Sequence, residues 1–213
     1  MDHREYIRET GGKTAVLMIH GIAGTPAHFR DLIPAIPEHI SLYSILLDGH
    51  GKQVRDFSAT SMKKWKAQVF EKLEELFEKY EKVILIGHSM GTLFSIQAAI
   101  DYPEKIPFLF LLAVPVRPWV RVSTVGTCLR VMRGKLREDD TAAWAMKNAT
   151  SIQLSNRIWE YIGWAPRMVE LLAECARIRK RLPELKVPCY TFQSQVDELV
   201  SVRSCKDLEG NPC

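Results

Sequence analysis

The chain has 213 residues and a formal net charge of +4, with 46% hydrophobic and 25% charged residues, the composition of one globular domain with a sizeable core. The charge is too mild for a dedicated nucleic-acid binder, and the densest basic run, RIRKR (Arg177 to Arg181), lies in a helical pattern and reads as a solvated face. No apolar run approaches the roughly 18 residues of a membrane span, MDHREYIRET at the N-terminus lacks a signal-peptide core, and five irregularly spaced cysteines with no CxxC pair exclude a zinc site or disulfide framework. The expectation is a reduced, cytoplasmic protein with no nucleic-acid partner and no stable membrane anchor.

In chain order, AVLMI (Ala15 to Ile19) is the first predicted buried strand, and HGIAGTP (His20 to Pro26) follows it directly. The glycines of this loop allow backbone to approach a ligand closely. A phosphate loop is excluded, because no lysine follows in the G-x-x-x-x-G-K-[ST] pattern. SLYSILL (Ser41 to Leu47) is the second strand, and DGHGK (Asp48 to Lys52) a tight loop after it. Gln53 stands where a phosphate loop needs Ser or Thr. Trp65, Val69, Leu73, Leu76 and Tyr80 recur at helical spacing in KKWKAQVFEKLEELFEKY, which predicts a charged helix with one apolar stripe.

KVILIG (Lys82 to Gly87) predicts a third strand, and GHSMG turns it into a helix that begins TLFSIQAAI. Gly87 and Gly91, two positions either side of Ser89, suit a corner too sharp for side chains. Such a corner exposes the Ser89 hydroxyl at the sheet edge and aims the Met90 N–H at an oxyanion forming beside it. If HGIAGTP lies alongside, the Ile22 N–H is the second oxyanion donor.

FLFLLAV (Phe108 to Val114) and VPCYTF (Val187 to Phe192) complete the predicted strands. Strands alternating with amphipathic helices imply an α/β fold with a mostly parallel, doubly wound sheet across residues 1–213. From about 115 to 182 the strand signal stops and four of the five tryptophans occur, so a helical cap inserted over the sheet's C-terminal edge is expected. Trp119, Trp144 and Trp159 are its candidate substrate contacts, with packing of the insertion as the alternative.

These motifs resemble the α/β-hydrolases, and in particular bacterial carboxylesterases and monoacylglycerol lipases with a small helical cap. HGIAGTP resembles the family's oxyanion loop, LLDGHGK its D-x-PGHG loop and GHSMG its nucleophile elbow. LKVPCYTFQSQVDELVS resembles the strand and turn that carry the catalytic acid, which implies Asp197 in that role and Glu198 as its neighbouring alternative. A surface aspartate capping the next helix is the competing reading of Asp197. The resemblance implies a serine hydrolase that cleaves a small-molecule ester with an apolar acyl chain through an acyl-enzyme on Ser89, and it calls for no cofactor or metal. A binding module that has lost catalysis, or a thioesterase or acyltransferase, is the alternative.

The base is the difficulty. His3, His20, His28, His39, His50 and His88 all precede the serine, whereas the family order places a histidine after the acid. His28 and His50 are the surrogates within reach of the predicted loops. The fuller expectation is that the functional polypeptide runs past Cys213 and supplies one more strand and a loop histidine.

Overall fold

The computed structural model describes residues 3–119, 122–134, 136–155, 157–195, 197, 199–201 and 203–208. Its elements are β1 (Tyr6–Arg8), β2 (Thr14–Ile19), β3 (Ser41–Ile45), α1 (Val54–Ser58), α2 (Met62–Lys79), β4 (Lys82–His88), α3 (Met90–Asp101), β5 (Leu109–Leu112), α4 (Val122–Met132), α5 (Thr141–Ala149), α6 (Trp164–Arg181), β6 (Cys189–Phe192) and α7 (Arg203–Leu208). Six strands form one sheet in the order β1-β3-β2-β4-β5-β6. Every neighbouring pair is parallel except β1 with β3.

The central strands read as continuous apolar runs because both their faces are covered. Five of the six residues of β2 and all five of β3 are buried. The larger core lies on the face packed by α2, α3 and α6, and a smaller one on the opposite face gathers Val16, Met18, Phe29, Leu42 and Ile86. In α2 the Ser61 hydroxyl caps the helix by accepting from the Lys64 N–H at 3.1 Å. The stripe Trp65, Val69, Leu73, Leu76 and Tyr80 is buried throughout, as its spacing predicts. α3 is buried from Met90 to Ala99, because the sheet covers one side and α2 and α6 the other.

The stretch between β5 and β6 is helical, and its parts pack differently. α4 and α5 lie against each other. α6 packs on α3 and sinks Cys175 and Ile178 into the large core. Within RIRKR, Arg177 bonds Glu174 and Gln97, and Arg181 pairs with Asp101 at 3.0 Å and Glu184 at 2.8 Å. These two arginines bind the helix layer together. Two features depart from the sequence reading. β1 is a short antiparallel edge strand whose half-exposed residues carry no apolar run. Cys189 is disulfide-bonded, against the expectation of wholly reduced cysteines. Among the described residues no helix is long and apolar enough to cross a membrane.

The approach of α3 to the sheet is close enough to exclude any side chain. A Cβ on Gly91 would stand 2.0 Å from the Ile19 carbonyl oxygen, and one on Gly87 2.7 Å from the Thr92 Cα. Gly91→Ala must push the start of α3 away from β2, an overpacking expected to cost about 3 kcal/mol. In a domain of this size that is a loss of roughly 6–12 °C in Tm. A thermal melt within 2 °C of the unmodified chain would contradict the close approach.

Candidate active site

Ser89 sits at the junction of β4 and α3 with φ 50° and ψ −119°, a left-handed conformation that a residue with a Cβ resists. Its N–H donates to the Leu112 carbonyl at 2.8 Å, and its carbonyl accepts from the Thr92 N–H at 2.9 Å and the Thr92 hydroxyl at 2.6 Å. Backbone on both sides is therefore pinned. The half-buried hydroxyl has no hydrogen-bond partner among the described residues.

The HGIAGTP loop follows β2 and is built around one peptide. The Gly21 carbonyl accepts from the Gly24 N–H at 3.0 Å and from His20 Nδ1 at 2.8 Å. His20 is fully buried, and its Nε2 accepts from the Leu47 N–H at 3.1 Å, so the proton resides on Nδ1. Burial, reinforced by the neighbouring His50, holds its pKa well below the usual histidine range and keeps it neutral. All peptides here are trans, so a Gly21 carbonyl held by two donors turns the Ile22 N–H of the same peptide the opposite way. That N–H and the N–H of Met90, first in its helix, have no hydrogen-bond partner among the described residues. Gly21 itself touches the nucleophile elbow: a Cβ there would lie 2.9 Å from the Ser89 Cβ.

Asp197 follows β6. One of its carboxylate oxygens accepts from the N–H groups of Leu199 at 2.8 Å and Val200 at 2.9 Å, and the other meets Gln193 Nε2 at 3.4 Å. Its negative charge reaches His88. Glu198 lies outside the described residues. Of the three tryptophans singled out in the sequence, Trp119 is 62% and Trp159 64% exposed. Trp144 is tied within the insertion by an indole N–H bond of 3.1 Å to the Arg137 carbonyl and by Lys147 over its ring. Among the described residues none of these indoles hydrogen-bonds Ser89. A cleft of about 530 Å³ lies elsewhere, beside Asp48, His50, Lys64 and Gln68.

The other histidines near the loops have their own structural duties. His50 Nδ1 donates to the carbonyls of Leu47 at 3.1 Å and Asp48 at 3.2 Å, and its ring packs against His20, Phe57 and Trp65. Burial pushes its pKa down to about 4. His28 Nε2 donates to the Ala149 carbonyl at 2.8 Å, and burial lowers its pKa. His88 stands edge-on to His28 at 5.7 Å, with a buried Nδ1 that has no hydrogen-bond partner among the described residues. Burial and then the nearby His28 bring its pKa to about 4, with Asp197 opposing them. Neither surrogate base, His28 or His50, hydrogen-bonds the Ser89 hydroxyl.

The sheet and the helices around it have counterparts in known proteins. The chain is 24% identical over 192 residues to the thermostable monoacylglycerol lipase of Bacillus sp. (strain H-257), covering 89% of this chain and 72% of the lipase. It is 31% identical over 97 residues to the carboxylesterase of Bacillus subtilis (strain 168), covering 45% of this chain and 39% of that enzyme. Its backbone matches a solved structure from the LipS and LipT pair of metagenome-derived lipolytic enzymes with a TM-score of 0.70 at 18% identity, covering 98% of this chain and 82% of that one. The fold is therefore that of the α/β-hydrolases. Residues 11–211 match the family model described as serine aminopeptidase, S33 (Hydrolase_4), and the chain belongs to that family, alongside α/β-hydrolases of the esterase and lipase type.

Proposed function

We propose that the chain hydrolyses small carboxylic esters through an acyl-enzyme on Ser89. The observation that carries this reading is the Ser89 hydroxyl itself, held in a left-handed turn and, among the described residues, without a hydrogen-bond partner, as are the N–H groups of Ile22 and Met90. The Ser89 oxygen attacks the ester carbonyl carbon, and the carbonyl oxygen takes the charge and is held by the N–H groups of Ile22 and Met90. Collapse expels the alcohol with a proton and leaves the acyl group on Ser89. Water then attacks the same carbon, releasing the acid and restoring the hydroxyl. Asp197 is the orienting acid in this scheme, its carboxylate already fixed by the turn at Leu199 and Val200.

A serine hydroxyl needs a proton acceptor. Among the described residues no histidine hydrogen-bonds the Ser89 hydroxyl: the ring protons of His20, His28 and His50 go to backbone carbonyls, and half-buried His88 has a depressed pKa. The absence of a described histidine at Ser89 favours a second reading, a relative that keeps the acyl site but turns over slowly. In both readings the helical insertion, with Trp119, Trp144 and Trp159, supplies apolar contacts to the acyl chain.

Ser89→Ala is expected to abolish labelling by a fluorophosphonate probe, while His28→Asn leaves the labelling rate within about threefold. Labelling that survives Ser89→Ala sinks the nucleophile, and a hundredfold loss in His28→Asn makes that histidine the base. Between acetate and butyrate esters of one alcohol, kcat/KM should rise by about fourfold for each methylene, since each is worth ~0.8 kcal/mol when buried. Equal values would remove the apolar acyl site.

The depressed histidines also set a pH dependence. The folded pKa values of His50 and His88 are about 4, below the ordinary 6.5, so the unfolded chain binds more protons between these limits. Their contribution is complete above about pH 6.5 and is lost as pH falls toward 4, at roughly 1.4 kcal/mol per pH unit for each ring. The urea midpoint should therefore drop between pH 7 and pH 5, before ordinary carboxylates titrate. An unchanged midpoint over that range would mean that these rings are not held neutral by burial.

A further inference from the structure

We infer that Ser151, a residue of the helical insertion, is a positioning residue for the oxyanion loop; the inference rests on the reading of Ser89 and Ile22 given above. The Gly21–Gly24 turn places Ala23 at φ 52°, where glycine is the natural occupant and an alanine must be held. The holding group comes from 128 residues away. Ser151 donates both its N–H, at 2.8 Å, and its hydroxyl, at 3.3 Å, to the Ala23 carbonyl, while its oxygen accepts from the Gly51 N–H at 3.3 Å. Ser151 is 1% exposed, so water does not compete for these bonds.

The neighbours of Ser151 make the same connection. The Ala149 carbonyl accepts from His28 at 2.8 Å, and the Gln153 N–H donates to the Lys52 carbonyl at 2.9 Å. Residues 149–153 thus join the insertion to the loops after β2 and after β3. Releasing the Ala23 carbonyl frees the turn to relax toward an ordinary φ, and such a rotation also swings the preceding peptides, including the one that carries the Ile22 N–H. The insertion that faces the acyl chain and the donor that faces the oxyanion are in this way mechanically coupled.

The test separates binding from trapping by measuring KI and the limiting inactivation rate kinact for an alkyl fluorophosphonate, whose phosphoryl oxygen takes the place of the oxyanion. Ser151→Ala keeps the 2.8 Å backbone bond to the Ala23 carbonyl and removes the hydroxyl's bonds to Ala23 and Gly51, so it should lower kinact about threefold and leave KI within twofold, because the loosened geometry acts on the charge that develops. Adding Ala23→Gly should recover at least half of the loss on a logarithmic scale, since glycine holds the turn unaided. An unchanged kinact, a rise in KI alone, or a double variant as slow as the single one overturns the inference. Should Ser151→Ala fail to fold, Ser151→Cys preserves nearly the same volume with a weaker hydrogen bond and carries the same comparison. Reaction that persists in Ser89→Ala overturns the underlying reading instead, whatever Ser151 does.

Discussion

The site depends on how closely the N-terminal end of α3 is pressed against β2 and β4. At Gly91 and Gly87 there is no room for a methyl group, and this closeness forces the chain to reverse at Ser89 with a positive φ. Such a conformation costs of the order of 1–3 kcal/mol and persists only where its surroundings over-determine it. They do so here twice over. The Leu112 carbonyl and Thr92 pin both sides of the Ser89 backbone, and α3 is buried on every side, so it cannot slide outward without exposing much of the large core. The same geometry leaves the Met90 N–H as an orphan of the helix start, aligned with the positive end of the α3 dipole.

The loop that lies against this corner is assembled by relay. From the chain just after β3, the Leu47 N–H sets the tautomer of His20 at the end of β2. His20 in turn holds the Gly21 carbonyl, and that carbonyl fixes the direction of the Ile22 N–H. The first two steps are hydrogen bonds between groups removed from water, where an unmade bond is expensive, and the last is the planarity of a trans peptide. The loop after β2 is therefore a rigid part of the sheet edge, although it is irregular in backbone. Residue 151 adds a third anchor from the far side.

Much of this was legible in the sequence because it is local. The α2 stripe, the apolar strands and the spacing of Gly87, Ser89 and Gly91 are all consequences of periodicity or of sterics between neighbours. β1 escaped notice because a three-residue edge strand needs no apolar run. The insertion could be recognised as helical, but its division could not, since the burial of Cys175 and Ile178 depends on where α3 lies. Ser151 was equally invisible: a serine carries no pattern, and its partner Ala23 is distant in sequence. Cys189 gave no sign of its disulfide, for irregular cysteine spacing does not reveal pairing.

The histidines show why scaffold and chemistry separate at this sheet edge. A general base works best with a pKa near the working pH and a ring nitrogen free to take a proton. Burial gives His20 and His50 the opposite properties, and these make them good structural elements: neutral rings with defined tautomers can brace carbonyls and stack against Phe57 and Trp65 without a charge to solvate. His28 holds the Ala149 carbonyl from the insertion and thereby depends on a second segment for its orientation. His88 is shielded at its Nδ1 and feels Asp197 too weakly to overcome its burial. Moving His20, His28 or His50 toward Ser89 would release a carbonyl, so the bonds that brace this sheet edge are the ones that hold these rings in their structural places.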